Sequence, residues 1–272
     1  MTVVSFVLAT AGSPVIAVGG LCVGVLVGMT GMGGGALLTP LLVLGLGLPA
    51  RVAVSSDLVV SLFMKPVGAL THNRNGGVRR DIVGWLAAGS IPAAFAGSVV
   101  INRFAGPDSG DRIEPLIGAM LCVAASLMVV RIIRSARTTA DSLGIASLRL
   151  APALRIAPTV AIGAAGGFVV GLTSVGSGSL MLVLLSWCYP KLSGPTLVGT
   201  DLMQAVPLVA SAALGHVIFG DARMSLILPV LFGALPGAWL GARLAHRVPE
   251  QALRPILAVV LGASGLRLVG LI

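Results

Sequence analysis

Apolar residues fill stretches at 14–30, 35–48, 52–71, 82–101, 113–130, 156–173, 178–189, 195–219, 224–242 and 255–272, with short polar or glycine-rich punctuation between them. The strict apolar–polar alternation of a membrane barrel is absent. Most stretches approach or reach the ~20 residues that carry a helix across a ~30 Å hydrocarbon core, whereas 35–48 and 178–189 are distinctly short. The pattern predicts an all-α polytopic membrane protein of about eight to ten hydrophobic helical segments.

The pattern also repeats. "VGMTGMGGGAL" (27–37) matches "VGLTSVGSGSL" (170–180) at an offset of 143, and "VSSDL" (54–58) matches "VGTDL" (198–202) at 144. The offset of 144 also pairs His72 with His216, Gly76 with Gly220, Gly89 with Gly233, Pro92 with Pro236 and Arg103 with Arg247. Shared Gly, Pro, Asp and His are stronger evidence than shared Leu, which any two membrane helices have in common. The period is far too long for a solenoid and marks a duplicated half. The chain divides into a first membrane repeat (1–134), a cytoplasmic linker (135–155) and a second membrane repeat (156–272), together one transmembrane domain.

Charge orients the halves. Loop 72–81 carries three Arg and one Asp, its partner 216–224 one of each; loop 102–114 carries two Arg against three acids, its partner 243–254 three Arg and one Glu. The bias reverses between corresponding loops. Placing 72–81, the arginine-rich join 131–155 and 243–254 in the cytoplasm satisfies the positive-inside rule. The halves then run in opposite directions, an inverted repeat typical of secondary transporters. Charged residues make up 10% of the chain, too few to coat a soluble globule, where about 25% is usual. The net charge of +9 therefore reads as loop charge and not as a nucleic-acid surface. Cys22, Cys122 and Cys188 sit in separate apolar stretches without metal-like spacing and read as small core residues. With no Lys or Arg before Arg51, residues 1–30 read as mature structure and not a cleaved signal.

Why would an apolar run hold Gly28, Gly31, Gly33, Gly34 and Gly35, when glycine weakens a helix by roughly 0.5–1 kcal/mol per residue? In each half the cluster precedes the short stretch. A half-helix that starts inside the protein offers free N–H groups and a positive dipole end, which together suit an anion. The predicted substrate-binding set is Thr30, Gly31, Gly33, Gly34 and Gly35 from the first half, and Thr173, Ser174, Gly176, Ser177 and Gly178 from the second, with Ser179 a further hydroxyl. Close helix packing is the plainer alternative, and it explains Gly163, Gly167 and Gly171 well.

Asp57 and Asp201 fall at equivalent positions in long apolar stretches, where carboxylates usually mark ion or proton pathways; the alternative is that "SSD" and "GTD" cap helices. Asp57, Ser61 and Lys65 share one helical face. Lys65 belongs with the predicted substrate-binding set: it aligns with Val209, and either neutralises Asp57 or recruits an anion. Gln204 lies one turn from Asp201 and offers a neutral hydrogen bond. His72 and His216 end long apolar runs, either as solvated caps or as proton acceptors near the mouth of a pathway. Asp57, Asp201, Gln204, His72 and His216 form the predicted coupling set. No metal site and no cofactor are indicated.

"GMTGMGGGALLTPLLV" with "AVSSDL" and "GALTHNRNGGV", then "GLTSVGSGSL" with "LVGTDLMQAVPLVASAALGHVIFGDAR", resemble the TauE/SafE family of sulfite and organosulfonate exporters, also called TSUP permeases. The resemblance spans essentially the whole chain. It implies a bacterial cytoplasmic-membrane permease moving a small sulfur oxyanion such as sulfite, a sulfonate or thiosulfate. Its implied partners are that anion and the lipid bilayer, with no nucleic acid; the oligomeric state stays open, a homodimer included. An anion channel is the nearest alternative. An intramembrane hydrolase using Ser177 or Ser179 with His216 is a more distant one. No G-x-x-x-x-G-K-S/T loop occurs, which argues against an ATP-driven pump.

Overall fold

The structure, a computed structural model, describes residues 14–30, 38–45, 47–74, 78–104, 110–137, 156–176, 178, 180–190, 192–219, 222, 224–244 and 250–270. These residues are helical almost throughout, with no strand among them. The elements are α1 (Pro14–Thr30), α2 (Leu38–Pro40, continued by a π-helical turn Leu41–Gly45), α3 (Ala50–Arg74), α4 (Arg80–Phe104) and α5 (Gly110–Arg137). They continue with α6 (Ile156–Thr173), α7 (Leu180–Cys188), α8 (Gly194–Phe219), α9 (Met224–Leu244) and α10 (Glu250–Val269). Each falls on one of the ten apolar stretches. Arg80–Arg103, Ile156–Thr173, Thr196–Phe219 and Met224–Gly241 are long and apolar enough to cross a bilayer. The chain is an all-α polytopic membrane protein.

Local chemistry sets the ends. The start of α8 is Ser193, whose hydroxyl accepts the Thr196 N–H at 3.4 Å, with Pro195 in the first turn where no N–H is needed. Helix α6 stops because Ser174 and Gly176 both take a positive φ, outside the region a right-handed helix can use. The chain then restarts as α7. Its nine residues rise about 1.5 Å each, which carries it less than half-way through the hydrocarbon. Pro66, Pro92, Pro207 and Pro236 lie inside long helices, which membrane bundles tolerate because neighbours re-satisfy the freed carbonyls.

Helices α3 and α8 pack against each other at the centre. On them, α4 lies on α8 and α9 on α3, while α6 lies on α4 and α1 on α9. The outer crossings are glycine on carbonyl. A Cβ at Gly163 or Gly167 would strike the Leu86 or Ser90 carbonyl, and one at Gly20 or Gly24 the Val230 or Ala234 carbonyl. These four contacts correspond one to one under the 143–144 offset. The packing role read for Gly163, Gly167 and Gly171 holds, since the last meets the Ala94 carbonyl. Each half thus lends its first helix to the other half. The pair α5 and α10 carries the exchange further: α10 touches α1 and α2, whereas α5 touches α6 and α7.

The outer face is apolar, with Phe232 (83% exposed), Val259, Leu228 and Trp187 turned outward as lipid contacts. Near the end of α9 the Arg243 guanidinium sits 3.6 Å from the Trp239 ring centroid, an amphipathic pair suited to the bilayer interface. The cysteines correct an expectation. Cys22 is exposed, and Cys122 and Cys188 are half-buried, because lipid accepts an apolar thiol as readily as a protein core does.

Candidate functional site

The central pair buries an ionic cluster. From α3 come Asp57 and Lys65, from α8 Asp201 and Gln204, and each is at most 3% exposed. Asp57 and Asp201 lie well inside their helices, which start at Ala50 and Gly194, so the capping alternative fails. Pro49 and Ser193 occupy the helix starts instead: the Pro49 carbonyl accepts the Ala53 N–H at 3.1 Å. As the spacing predicts, Ser61 donates to Asp57 Oδ1 from the next turn at 3.1 Å. Thr39, on α2, donates to Asp57 Oδ2 at 2.6 Å. The Lys65 ammonium lies within electrostatic reach of both Asp57 and Asp201. One cation therefore faces two carboxylates contributed by different halves. Charges this deep persist when paired and hydrogen-bonded.

Around this cluster the second half adds neutral polar groups. Gln204 Nε2 donates to Ser90 Oγ of α4 at 2.5 Å, and its Oε1 is buried without a hydrogen-bond donor among the described residues. Ser174 lies beside the Asp57 carboxylate, 3% exposed, with its hydroxyl in a side-chain interaction with that carboxylate. Gly176 and Gly178 are buried in the turn that leads to α7. Thr173 stabilises the break itself. Its hydroxyl donates to the Val169 carbonyl at 2.8 Å and accepts the Val175 N–H at 3.2 Å.

His216 corrects the solvated-cap reading, being 1% exposed. Its Nε2 meets the Gly171 carbonyl at 2.8 Å. A carbonyl can only accept, so Nε2 carries the proton. On the other side of the ring, Nδ1 faces Ser55 Oγ at 2.8 Å and the Asn102 amide at 3.5 Å. It is the acceptor nitrogen of a neutral imidazole. The ring joins α3, α4, α6 and α8 and satisfies a carbonyl that the end of α6 leaves without an intrahelical donor. Both nitrogens are engaged, Nδ1 by Ser55 and Nε2 by the Gly171 carbonyl, which leaves the ring no lone pair for a further hydroxyl. Gly31, Gly33, Gly34, Gly35, Ser177 and Ser179 lie outside the described residues, as do the side chains of Thr30 and His72.

Sequence reasoning did not select Thr39, Ser55, Ser90 or Asn102. Thr39 had one local signal, a hydroxyl directly before Pro40 in an otherwise apolar run. The other three become polar partners only when helices distant in sequence meet. Among the described residues no group of three or more His, Cys, Asp or Glu could hold a metal ion.

Residues 16–268 match the family described as Sulfite exporter TauE/SafE. The chain belongs to the TauE/SafE family. This TauE/SafE protein is 34% identical over 252 residues to the probable membrane transporter protein YjnA of Bacillus subtilis (strain 168), covering 92% of this chain and 97% of that one. It is 25% identical over 248 residues to the probable membrane transporter protein YdhB of the same organism, covering 90% and 95%. No solved structure matches it. Family and relatives make it a multi-pass permease of the cell membrane, a transporter and not an enzyme.

Proposed function

We propose that this permease is a secondary transporter for a small sulfur oxyanion, such as sulfite, an organosulfonate or thiosulfate. Its two halves would cross the membrane in opposite directions, and the anion would sit at the buried cluster between α3 and α8. The observation that carries the reading is Lys65, a buried ammonium in electrostatic reach of one carboxylate from each half. An ammonium presents three donors to an incoming anion. The Ser174 hydroxyl, beside the Asp57 carboxylate, adds a further donor. Gly31–Gly35 extend the same proposal into the first half, on sequence grounds alone.

Coupling belongs in this reading to Asp57 and Asp201. With Lys65 charged, the cluster carries one negative charge in excess, and a bound anion adds another. Protons on the carboxylates are the simplest compensation in a site this dry. Gln204 then ties α8 to Ser90 of α4, and His216 holds the helices that carry the site.

The test is flux in proteoliposomes. Sulfite, sulfoacetate and thiosulfate are offered separately under an imposed proton gradient. Accumulation of one of them against its own gradient is expected, with a loss of at least about tenfold in Lys65→Met, where the charge that attracts the anion is gone. Passive flux that only follows the anion's gradient would identify a channel. Unchanged transport in Lys65→Met would overturn the site.

A further inference from the structure

The two short segments are held differently. The π-helical turn after α2 borders an apolar cavity of about 160 Å³ between α1 and α9, lined by Ile16, Gly19, Leu41, Leu42, Gly45 and Val230. Under the offset of 143, the second half has Ile162 in place of Gly19 and Cys188 in place of Gly45. In place of Ile16 it has Thr159, whose hydroxyl bonds the Tyr189 hydroxyl at 2.7 Å and ties α6 to the chain just past α7. The second segment thus has larger side chains at these positions and is latched at its far end. The first has open space there.

At their near ends the contrast reverses. Thr39 binds Asp57 at 2.6 Å, whereas its counterpart Leu182 is a buried apolar side chain. A hydroxyl on a carboxylate is a charge-assisted bond, roughly twice as strong as a neutral one. Its strength therefore follows the charge on Asp57, which Lys65 on the same helix and Asp201 on α8 also feel through the shared ammonium. The segment beyond Thr39 is a π-helical turn, a frequent functional irregularity whose wider hydrogen-bond ring tolerates rearrangement.

We propose that Thr39 is a positioning residue that couples the charge state of the buried cluster to the first short segment, which moves into the adjoining cavity while α7 stays anchored. When Asp57 is a free carboxylate, Thr39 holds the segment in place. When a proton or an approaching anion changes the field at Asp57, the bond weakens and the Leu41–Gly45 turn shifts toward Gly19. This rests on the protein being a permease, and not on which anion it carries.

Two independent measurements on the full-length protein in proteoliposomes test it. In hydrogen exchange, the amides of Leu42, Val43 and Gly45 are expected to exchange at least about tenfold faster than those of Leu184–Cys188, and Gly19→Ile is expected to remove the difference by filling the cavity. Equal exchange in the unmodified protein overturns the proposal. In sulfite flux, Thr39→Val is expected to lower the rate about tenfold and Thr39→Ser to restore it to within about twofold, a rescue that a purely space-filling residue would not show. Normal flux in Thr39→Val, or no rescue by Ser, overturns it. Should Gly19→Ile fail to fold, Gly19→Ala serves, because a Cβ there meets only Leu41 Cδ2 at an ordinary 3.5 Å. If the unmodified protein moves no sulfite, the oxyanion reading fails, while the exchange asymmetry still decides this one.

Discussion

Helices α3 and α8 occupy positions 143–144 residues apart and do different work. Both keep a buried aspartate at the same position, and both sit at the centre of the bundle. In α3, Ser61 and Lys65 surround the carboxylate, whereas α8 has Ala205 and Val209 there and Gln204 where α3 has Val60. The outer crossings, by contrast, have hardly diverged. Gly20 on Val230 and Gly163 on Leu86 are the same contact made twice. Scaffold positions are constrained identically at both crossings because any Cβ at a glycine–carbonyl crossing clashes with backbone. A polar centre shared by α3 and α8 needs its lysine only once.

That contrast can be broken experimentally, starting where the effect is largest. Gly163→Val and Gly20→Val are each expected to abolish folded protein, since backbone must shift and the cost exceeds the ~4–5 kcal/mol that marks exceptional mutations. Size-exclusion profiles of the fluorescently tagged protein check this, and a monodisperse peak for one variant alone would show that the crossings are not equivalent. Lys65→Met comes next, an expected loss of about 3–5 kcal/mol because two buried carboxylates lose their cation. Asp57→Asn added to Lys65→Met should recover part of that stability in a thermal melt, and no recovery would mean that the charges do not act together. Asp201→Asn is expected to keep the fold and change the pH dependence of flux; an unchanged profile removes α8 from coupling. The smallest expected effect is Tyr189→Phe, about 1 kcal/mol for one lost hydrogen bond, read as a melting shift of a few degrees.

Much of this was legible before any coordinates. The ten apolar stretches coincide with the ten helices among the described residues because segment length and apolarity are what a bilayer selects. The shared face of Asp57, Ser61 and Lys65 followed from helical periodicity alone. Asp57 and Asp201 as caps were a misreading of local pattern. Ser-Ser-Asp looks like a helix start, yet the membrane permits a helix to run straight through it when Thr39 and Ser61 satisfy the carboxylate. His216 was opaque for a related reason. Its partners Ser55, Asn102 and Gly171 lie 161, 114 and 45 residues away, and no local signal records such a meeting.

The trading of first helices between the halves also imposes an order on biosynthesis. Helix α6 emerges from the ribosome after its partner α4, so it docks at once. By contrast α1 precedes its partner α9, which follows only when α2 through α8 have been made. At ordinary rates of synthesis that is a wait on the order of tens of seconds. Throughout that interval the glycine face of α1 has lipid or the insertion machinery as its neighbour, and its crossing closes only when α9 has been threaded into the bilayer.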